Sequence, residues 1–242
     1  MITVALAAGY ATRMYPLTED FPKPLLPVGG RTILDLLLCD LDEIEDVVRH
    51  VVVSNHKFIR HFERWAHETP LKKPVTLIDD GSISNESRLG AVNDLLLAIE
   101  REHLRDDLLV LAADNLLDFS LRALTDAFAK SGRSQLFCYH EADIAVLKRC
   151  GVATLDAQRR MISMEEKPPQ PKSHWAVPPF YLFAAGDVGL IRDVVDEGIQ
   201  TDAPGSLVAA LCERAHIEAQ QMPGRRVDVG NLEAYARVKD GF

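Results

Sequence analysis

The sequence predicts an α/β fold, with a mostly parallel sheet covered by helices on both faces. Three observations carry that expectation: short runs rich in Val, Leu and Ile, helical patterns alternating with them, and the unbroken apolar run Leu108 to Ala112, which suits a strand buried on both sides. In order, Ile2 to Ala8 reads as the first strand, an apolar run that ends at Gly9. Thr32 to Asp42 reads as a helix, Val48 to Ser54 as a strand, Lys57 to His67 as a helix and Val75 to Ile78 as the next strand. Arg88 to Glu102 has an amphipathic helical pattern and precedes the strand Leu108 to Ala112. Ser120 is placed to cap a helix running through Ala129, after which Gln135 to His140 resumes the sheet. The second half changes character. Gly151 to Leu155 and Met161 to Glu165 read as paired strands around the turn-like Asp156 to Arg160, and Val177 to Phe183 as a further strand. Helices are expected over Val188 to Glu197 and Ser206 to Arg214, and the strands His216 to Gln220 and Arg226 to Val229 close the sheet.

The 242 residues are 47% hydrophobic and 26% charged, with 14 Gly and 13 Pro, an ordinary globular composition. No repeat, low-complexity tract or Ser/Gly-rich linker divides the chain, so one domain over residues 1–242 is expected, its halves meeting near residue 130. The net charge of −9 argues against a broad nucleic-acid or anionic membrane surface and leaves room for a local basic pocket. No stretch approaches the ~20 apolar residues of a membrane span. The apolar start Ile2 to Ala8 lacks the basic segment of a secretory signal. Cys39, Cys138, Cys150 and Cys212 lie far apart without metal-ligand spacing and read as reduced cytoplasmic thiols. His56, His61 and His67 fall in one expected helix at spacings that do not stack on a single face, so they read as structural or surface residues.

In open α/β sheets ligands lie beyond the carboxyl ends of the strands, which points to Gly9 to Arg13, Asp79 to Gly90, and Asp114 with Asn115. The first of these lies within Leu6-Ala7-Ala8-Gly9-Tyr10-Ala11-Thr12-Arg13-Met14-Tyr15-Pro16-Leu17-Thr18, followed closely by Phe21-Pro22-Lys23-Pro24-Leu25-Leu26-Pro27-Val28. A small-residue loop leaving a strand can turn its N–H groups toward a phosphate, with Arg13 and Lys23 as cations at its rim; tight packing beside a solvated arginine is the plain alternative. The loop is neither a P-loop nor a dinucleotide fingerprint. Asp114 follows a buried strand, where a carboxylate is costly unless it reaches the sheet edge or meets a cation, and Asp228 ends a short strand. Either alone reads as a turn or helix cap. Glu165-Glu166-Lys167 reads alone as a solvated charge cluster, and Asn85 to Arg88 as a capped helix start.

Taken together these segments resemble the nucleotidyltransferases that activate sugar 1-phosphates, the thymidylyltransferase branch included. The first loop and its Pro-Lys-Pro segment match the pattern LAAGxGTRLxPLT followed by PKPLLPV. Leu111 to Asn115 is similar to the family's GDN segment, Ile162 to Tyr181 to EEKPxxPKSxxAxxGxY, and Val227 to Asn231 to D[IV]GT. The resemblance implies a Rossmann-like three-layer sandwich with a mostly parallel mixed central sheet, of the nucleotide-diphospho-sugar transferase type. Its front half, about 1–130, would bind nucleotide, and its back half, about 131–242, sugar phosphate. The implied reaction is attack of a sugar phosphate oxygen on the α-phosphorus of a nucleoside triphosphate, with pyrophosphate leaving. Arg13 and Lys23 are then the catalytic cations, and Ala7, Ala8, Gly9, Tyr10, Ala11, Thr12, Asn85, Gly90 and Asp114 bind the nucleotide. Asn115, Glu166 and Lys167 bind the sugar phosphate, and Asp114 with Asp228 holds Mg²⁺, whose hard character suits carboxylate oxygens.

Three departures qualify the resemblance. Ala11 replaces a signature Gly, an exchange that is tolerated if only closeness to the phosphate is required; Asn231 replaces a Thr. Pro178-Pro179 stands where the family usually has a Gly, so the sugar pocket is expected to differ from one built for glucose 1-phosphate, and a cyclitol-type phosphate is a second substrate class. The expected partners are a nucleoside triphosphate, with thymidine or uridine favoured, and a sugar 1-phosphate. Neither nucleic acid nor membrane is expected, a homo-oligomer is left open, and the location is cytoplasmic. Two other classes compete: a catalytically silent nucleotide-sugar-binding regulator, which could lose Arg13, Lys23, Asp114, Lys167 and Asp228, and a cytidylyltransferase for an alcohol phosphate, which would not explain Glu165 to Ser173.

Overall fold

A computed structural model describes the whole chain, Met1–Phe242. The architecture is the expected α/β one, a mixed, mostly parallel central sheet with helices on both sides. The chain packs into two compact units, each assembled from separated stretches. Residues 1–89, 111–121 and 224–242 form the first unit, and residues 90–110 and 122–223 the second. The strand Leu108–Ala112 begins in the second unit and ends in the first.

In the first unit, Ile2–Leu6 pairs in parallel with Arg49–Ser54, which pairs in parallel with Val75–Asp79. Val4, Ala5, Val51, Val52 and Val53 are fully buried, as a strand with both faces covered requires. Helix Ile33–Asp42 buries Ile33, Leu34, Leu37, Leu38 and Leu41, each contributing about 1.5–3 kcal/mol of apolar burial. Thr32 and Asp35 cap it reciprocally through side-chain and backbone bonds. Helix Ile59–Glu68 carries His61 and His67, whereas His56 precedes it and pairs with Asp79 at 2.6 Å, so the expected single histidine-bearing helix is shorter than its pattern implied. Buried His50 links Thr3 Oγ1 at 2.7 Å on Nδ1 to Asp42 Oδ1 at 3.1 Å on Nε2.

The strand expected at Arg226 to Val229 spans Arg226–Asp228 and does not join the main sheet. It pairs antiparallel with Asn115–Leu117, setting Asp228 opposite Asn115. That ribbon is too short to bury anything alone. It is held by a cluster of Met14, Leu26, Val28, Ile33, Leu116, Val229 and Val238, the last from helix Leu232–Val238, which had no counterpart in the sequence reading.

In the second unit, Gln135–His140 is the organising strand. It pairs antiparallel with Trp175–Val177 and Phe180–Phe183, and in parallel with Glu218–Gln221. The expected single strand Val177 to Phe183 is therefore two, because Pro178 and Pro179 supply no N–H to the ladder. Gly151–Leu155 and Met161–Glu166 form the expected antiparallel pair. Helix Ala91–Arg101 starts three residues later than expected: Gly90, with φ 91°, blocks helix before it, and Asn85–Ser87 is only a 3₁₀ turn. The helix expected from Val188 is divided at Gly189 into Ala185–Val188 and Leu190–Asp196, and the next runs over Pro204–Leu211 with the proline in its first turn.

Candidate functional site

In the first unit the Ile2–Leu6 strand delivers Ala7 and Ala8 as buried small residues, with Ala7 N–H still bonded to Val53 O at 2.9 Å. Asn55 pins the turn: its Nδ2 donates to Ala8 O, and its Oδ1 accepts from Phe58 N, both at 2.9 Å. Gly9 is exposed with open space over its Cα, which leaves the backbone approachable. Tyr10 is buried near Phe58, and its hydroxyl lies 3.1 Å from Ser82 Oγ. Ala11 adopts φ 48° and ψ 41°, the left-handed region, so the signature glycine it replaces had a conformational role that closeness to a phosphate does not replace. Its carbonyl accepts from Met14 N at 2.8 Å and Thr18 Oγ1 at 2.9 Å, and these bonds hold the turn Thr12–Met14 that presents Arg13 to solvent.

Lys23 leaves a turn made rigid by Pro22 and Pro24 and meets Asp114, with Nζ 2.6 Å from Oδ2. The lysine side chain is only 14% exposed, so this charge pair is partly desolvated. Asn115 Nδ2 donates to the other Asp114 oxygen at 2.7 Å and to Ala112 O at 3.2 Å, and its own Oδ1 accepts from Arg226 Nη1 at 2.5 Å. Asn115, buried to 1% exposure, thus orients Asp114 and Arg226. Asp228 reaches solvent along one side, yet protein crowds it. Desolvation first, and then the Asp114 charge, push its carboxyl above the usual range, against the pull of Arg226, Lys23 and Arg13. Asp114, Arg226, Lys23 and Arg13 are therefore all within electrostatic reach of Asp228. Arg226 was missed by the sequence reading. The available signal was its i, i+2 spacing to Asp228, which puts both on one face of a strand.

Asp228 stands opposite Asn115 and its neighbour Val229 donates to Asp114 O at 2.9 Å, so the two aspartates share one end of the ribbon, and their hard carboxylate oxygens suit Mg²⁺, whose charge would offset the desolvation and the repulsion that raise the Asp228 carboxyl. There is no group of three or more His, Cys, Asp or Glu that could hold a metal ion.

Beyond Val75–Asp79 the chain is tied by its own side chains. Asp80 accepts Ser82 N at 2.6 Å and Ser82 Oγ at 3.0 Å, while Asp80 N donates to Ser54 O at 2.9 Å. Asn85 sits at the start of the Asn85–Ser87 turn, half-buried, its carbonyl accepting from Arg88 Nη1 at 2.7 Å. Gly90 belongs to the second unit, where a Cβ on it would meet Thr201 O at 2.6 Å. What this glycine demonstrably admits is the Thr201–Asp202 backbone, and Val92 N bonds Thr201 O at 3.0 Å.

Also in the second unit, Glu166 ends its strand opposite Gly151, and Lys167 turns away with φ 49° while its N–H donates to Cys150 O at 3.0 Å. Lys167 Nζ lies 3.8 Å from Glu166 Oε1, with the lysine half-exposed and the glutamate 17% exposed. Burial pushes the Glu166 carboxyl up, opposed by the Lys167 charge and hydrogen bond.

Residues 2–241 match the nucleotidyl transferase family, and the chain belongs to it. It is 30% identical over 184 residues to the bifunctional protein GlmU of Methanococcus aeolicus, covering 76% of this chain and 40% of that one. Against the glucose-1-phosphate adenylyltransferase of Shewanella frigidimarina it is 28% identical over 257 residues, covering 95% of this chain and 61% of that protein. The chain thus spans roughly two to three fifths of the length of these curated relatives. A crystal structure of UDP-glucose pyrophosphorylase complexed with UDP-glucose has the same fold, with a TM-score of 0.83, 18% identity, and coverage of 99% of this chain and 97% of that one. No helix is long and apolar enough to cross a membrane.

Proposed function

We propose that the protein transfers a nucleoside monophosphate from a nucleoside triphosphate to a sugar 1-phosphate, or to a cyclitol-type phosphate, releasing pyrophosphate. One observation supports this above the others: Lys23, Asp114, Arg226 and Asp228 form one charged cluster, with Asn115 hydrogen-bonded between Asp114 and Arg226, in a chain of the nucleotidyl transferase family. The transfer involves no covalent enzyme intermediate in this reading, so the side chains align and neutralise. Arg13 and Lys23 hold the triphosphate oxygens, the loop Ala7 to Thr12 lets the phosphates approach the backbone at Gly9, and Asn85 contacts the base, while the face of Gly90 is taken by the Thr201–Asp202 backbone. Asp114 and Asp228 would hold Mg²⁺, which supplies charge neutralisation between the phosphates and the leaving pyrophosphate. Glu166 takes sugar hydroxyls and Lys167 the sugar phosphate. Thymidine or uridine is the favoured base on the Glu165 to Ser173 segment, although the curated relatives include an adenylyltransferase. The location is proposed to be cytoplasmic.

The test is pyrophosphate release from each common triphosphate against a panel of sugar 1-phosphates and cyclitol phosphates, with and without Mg²⁺. Turnover of at least one pair, dependent on Mg²⁺, is expected. Binding of a nucleotide sugar without turnover of any pair would instead establish a silent regulator.

A further inference from the structure

Gly205 occupies the first turn of helix Pro204–Leu211, a place where alanine would improve the helix. The reason for glycine is visible on its Cα. A Cβ there would lie 2.0 Å from Glu166 Oε2, 2.9 Å from Glu166 Cδ and 3.0 Å from Met164 Cε. On the other side Gly151, directly opposite Glu166 in the strand pair, has the same carboxylate oxygen 3.2 Å from where its own Cβ would be, and Met164 Cε at 2.2 Å. One carboxylate oxygen therefore rests against two missing side chains, one from a strand and one from a helix. All these residues belong to the second unit.

We infer that Gly151 and Gly205 are positioning residues forming a seat that fixes the Glu166 carboxylate, and that this seat determines which arrangement of sugar hydroxyls the protein accepts. The inference rests on the function proposed above for its substrate part, and on geometry alone for the seat. The crowded atoms are the ends of two flexible side chains. Adding a methyl group at Gly205 therefore moves the carboxylate without breaking backbone, so the fold survives and the recognition group does not stay in place. Burial of Glu166 also raises its pKa, as expected for a group held in a tight seat.

The experiment uses the full chain with Gly205→Ala, Glu166→Asp and Glu166→Ala, singly and with each Glu166 change paired with Gly205→Ala. With the sugar 1-phosphate that the wild type turns over best, Gly205→Ala should raise its KM about tenfold or more while the KM of the triphosphate stays within about twofold, the size expected for displacing one charge-assisted hydrogen bond. In the Glu166→Asp background, whose shorter side chain withdraws from the methyl group, Gly205→Ala should change that KM by less than about twofold, because the clash is gone. Equal effects in both backgrounds would overturn the seat. Urea midpoints read the seat without turnover: Gly205→Ala should stabilise the Glu166→Ala chain more than the wild type, and identical shifts in the two would refute it. Should no substrate pair turn over, the functional reading fails while this coupling still stands or falls by itself.

Discussion

Replacing Ala11 by glycine should stabilise the protein. Ala11 holds φ 48° and ψ 41°, and its carbonyl is bound by Met14 N and Thr18 Oγ1, so the turn cannot relax out of the left-handed region without losing both bonds. An L-residue with a Cβ pays ~1–2 kcal/mol there. Glycine removes that strain but brings a more flexible unfolded chain, worth ~0.4–1 kcal/mol in the other direction. The difference is about 0.5–1 kcal/mol in favour of Ala11→Gly, or a rise of ~1–4 °C in Tm for a chain of this size. Scanning calorimetry with matching urea unfolding would measure it. Ala11→Val supplies the opposite sign, since a β-branched side chain is still less at ease in that region. A lower Tm for Ala11→Gly, or an unperturbed Ala11→Val, would refute the account of the turn as strained.

Other outcomes follow from the same geometry. Asp114→Asn should leave the fold intact and lower turnover by about a hundredfold or more, because Lys23 and the divalent cation lose their shared carboxylate; near-normal rates would exclude a direct role. Lys167→Ala should raise the KM of the sugar phosphate about ten- to a hundredfold with the triphosphate KM little changed, measured by initial rates, and an unchanged KM would remove the assignment. Stability should fall as the pH drops below about 6.5. Burial depresses the folded pKa of His50, so the unfolded chain binds more protons in that range and the slope of stability with pH is positive. Burial pulls the Asp42 carboxyl upward, but hydrogen bonds from Lys72 N, His50 and Lys73 N bring it below the usual carboxylate range, which adds a second loss in stronger acid. Urea midpoints between pH 7 and 5 should therefore slope less in His50→Gln than in the wild type, and parallel profiles would contradict the assignment.

Much of the fold is legible because burial writes itself into residue type. Leu108–Ala112, Gln135–His140 and Gly151–Leu155 appear where the apolar runs predict them, since a strand covered on both faces has little freedom of composition. The strand Arg226–Asp228 is expected, but its partner Asn115–Leu117 and their pairing are not legible: three residues carry no period, and the pairing is decided by distant packing around Met14 and Val238. In the site, Lys23, Asp114 and Asp228 stand out in the motifs and Arg226 does not, whereas the left-handed turn at Ala11 and the spaces at Gly151 and Gly205 depend on what other parts of the chain place beside them. A missing Cβ has no signature until its neighbour is known.

The interleaving of the units also orders events in time. Asp114 lies in the stretch 111–121 and Asp228 in 224–242, while the larger part of the second unit, residues 122–223, is encoded between them. A ribosome therefore releases the first carboxylate long before the second, and the strand that carries Asp228 can pair with Asn115 only after residues up to Pro223 have been made. A chain arrested in that interval has the Gly9 loop and Lys23 but only one of the two carboxylates. Incomplete synthesis thus yields a protein without the Asp114–Asp228 pair, and premature stops anywhere before Asp228 should be equivalent in that respect.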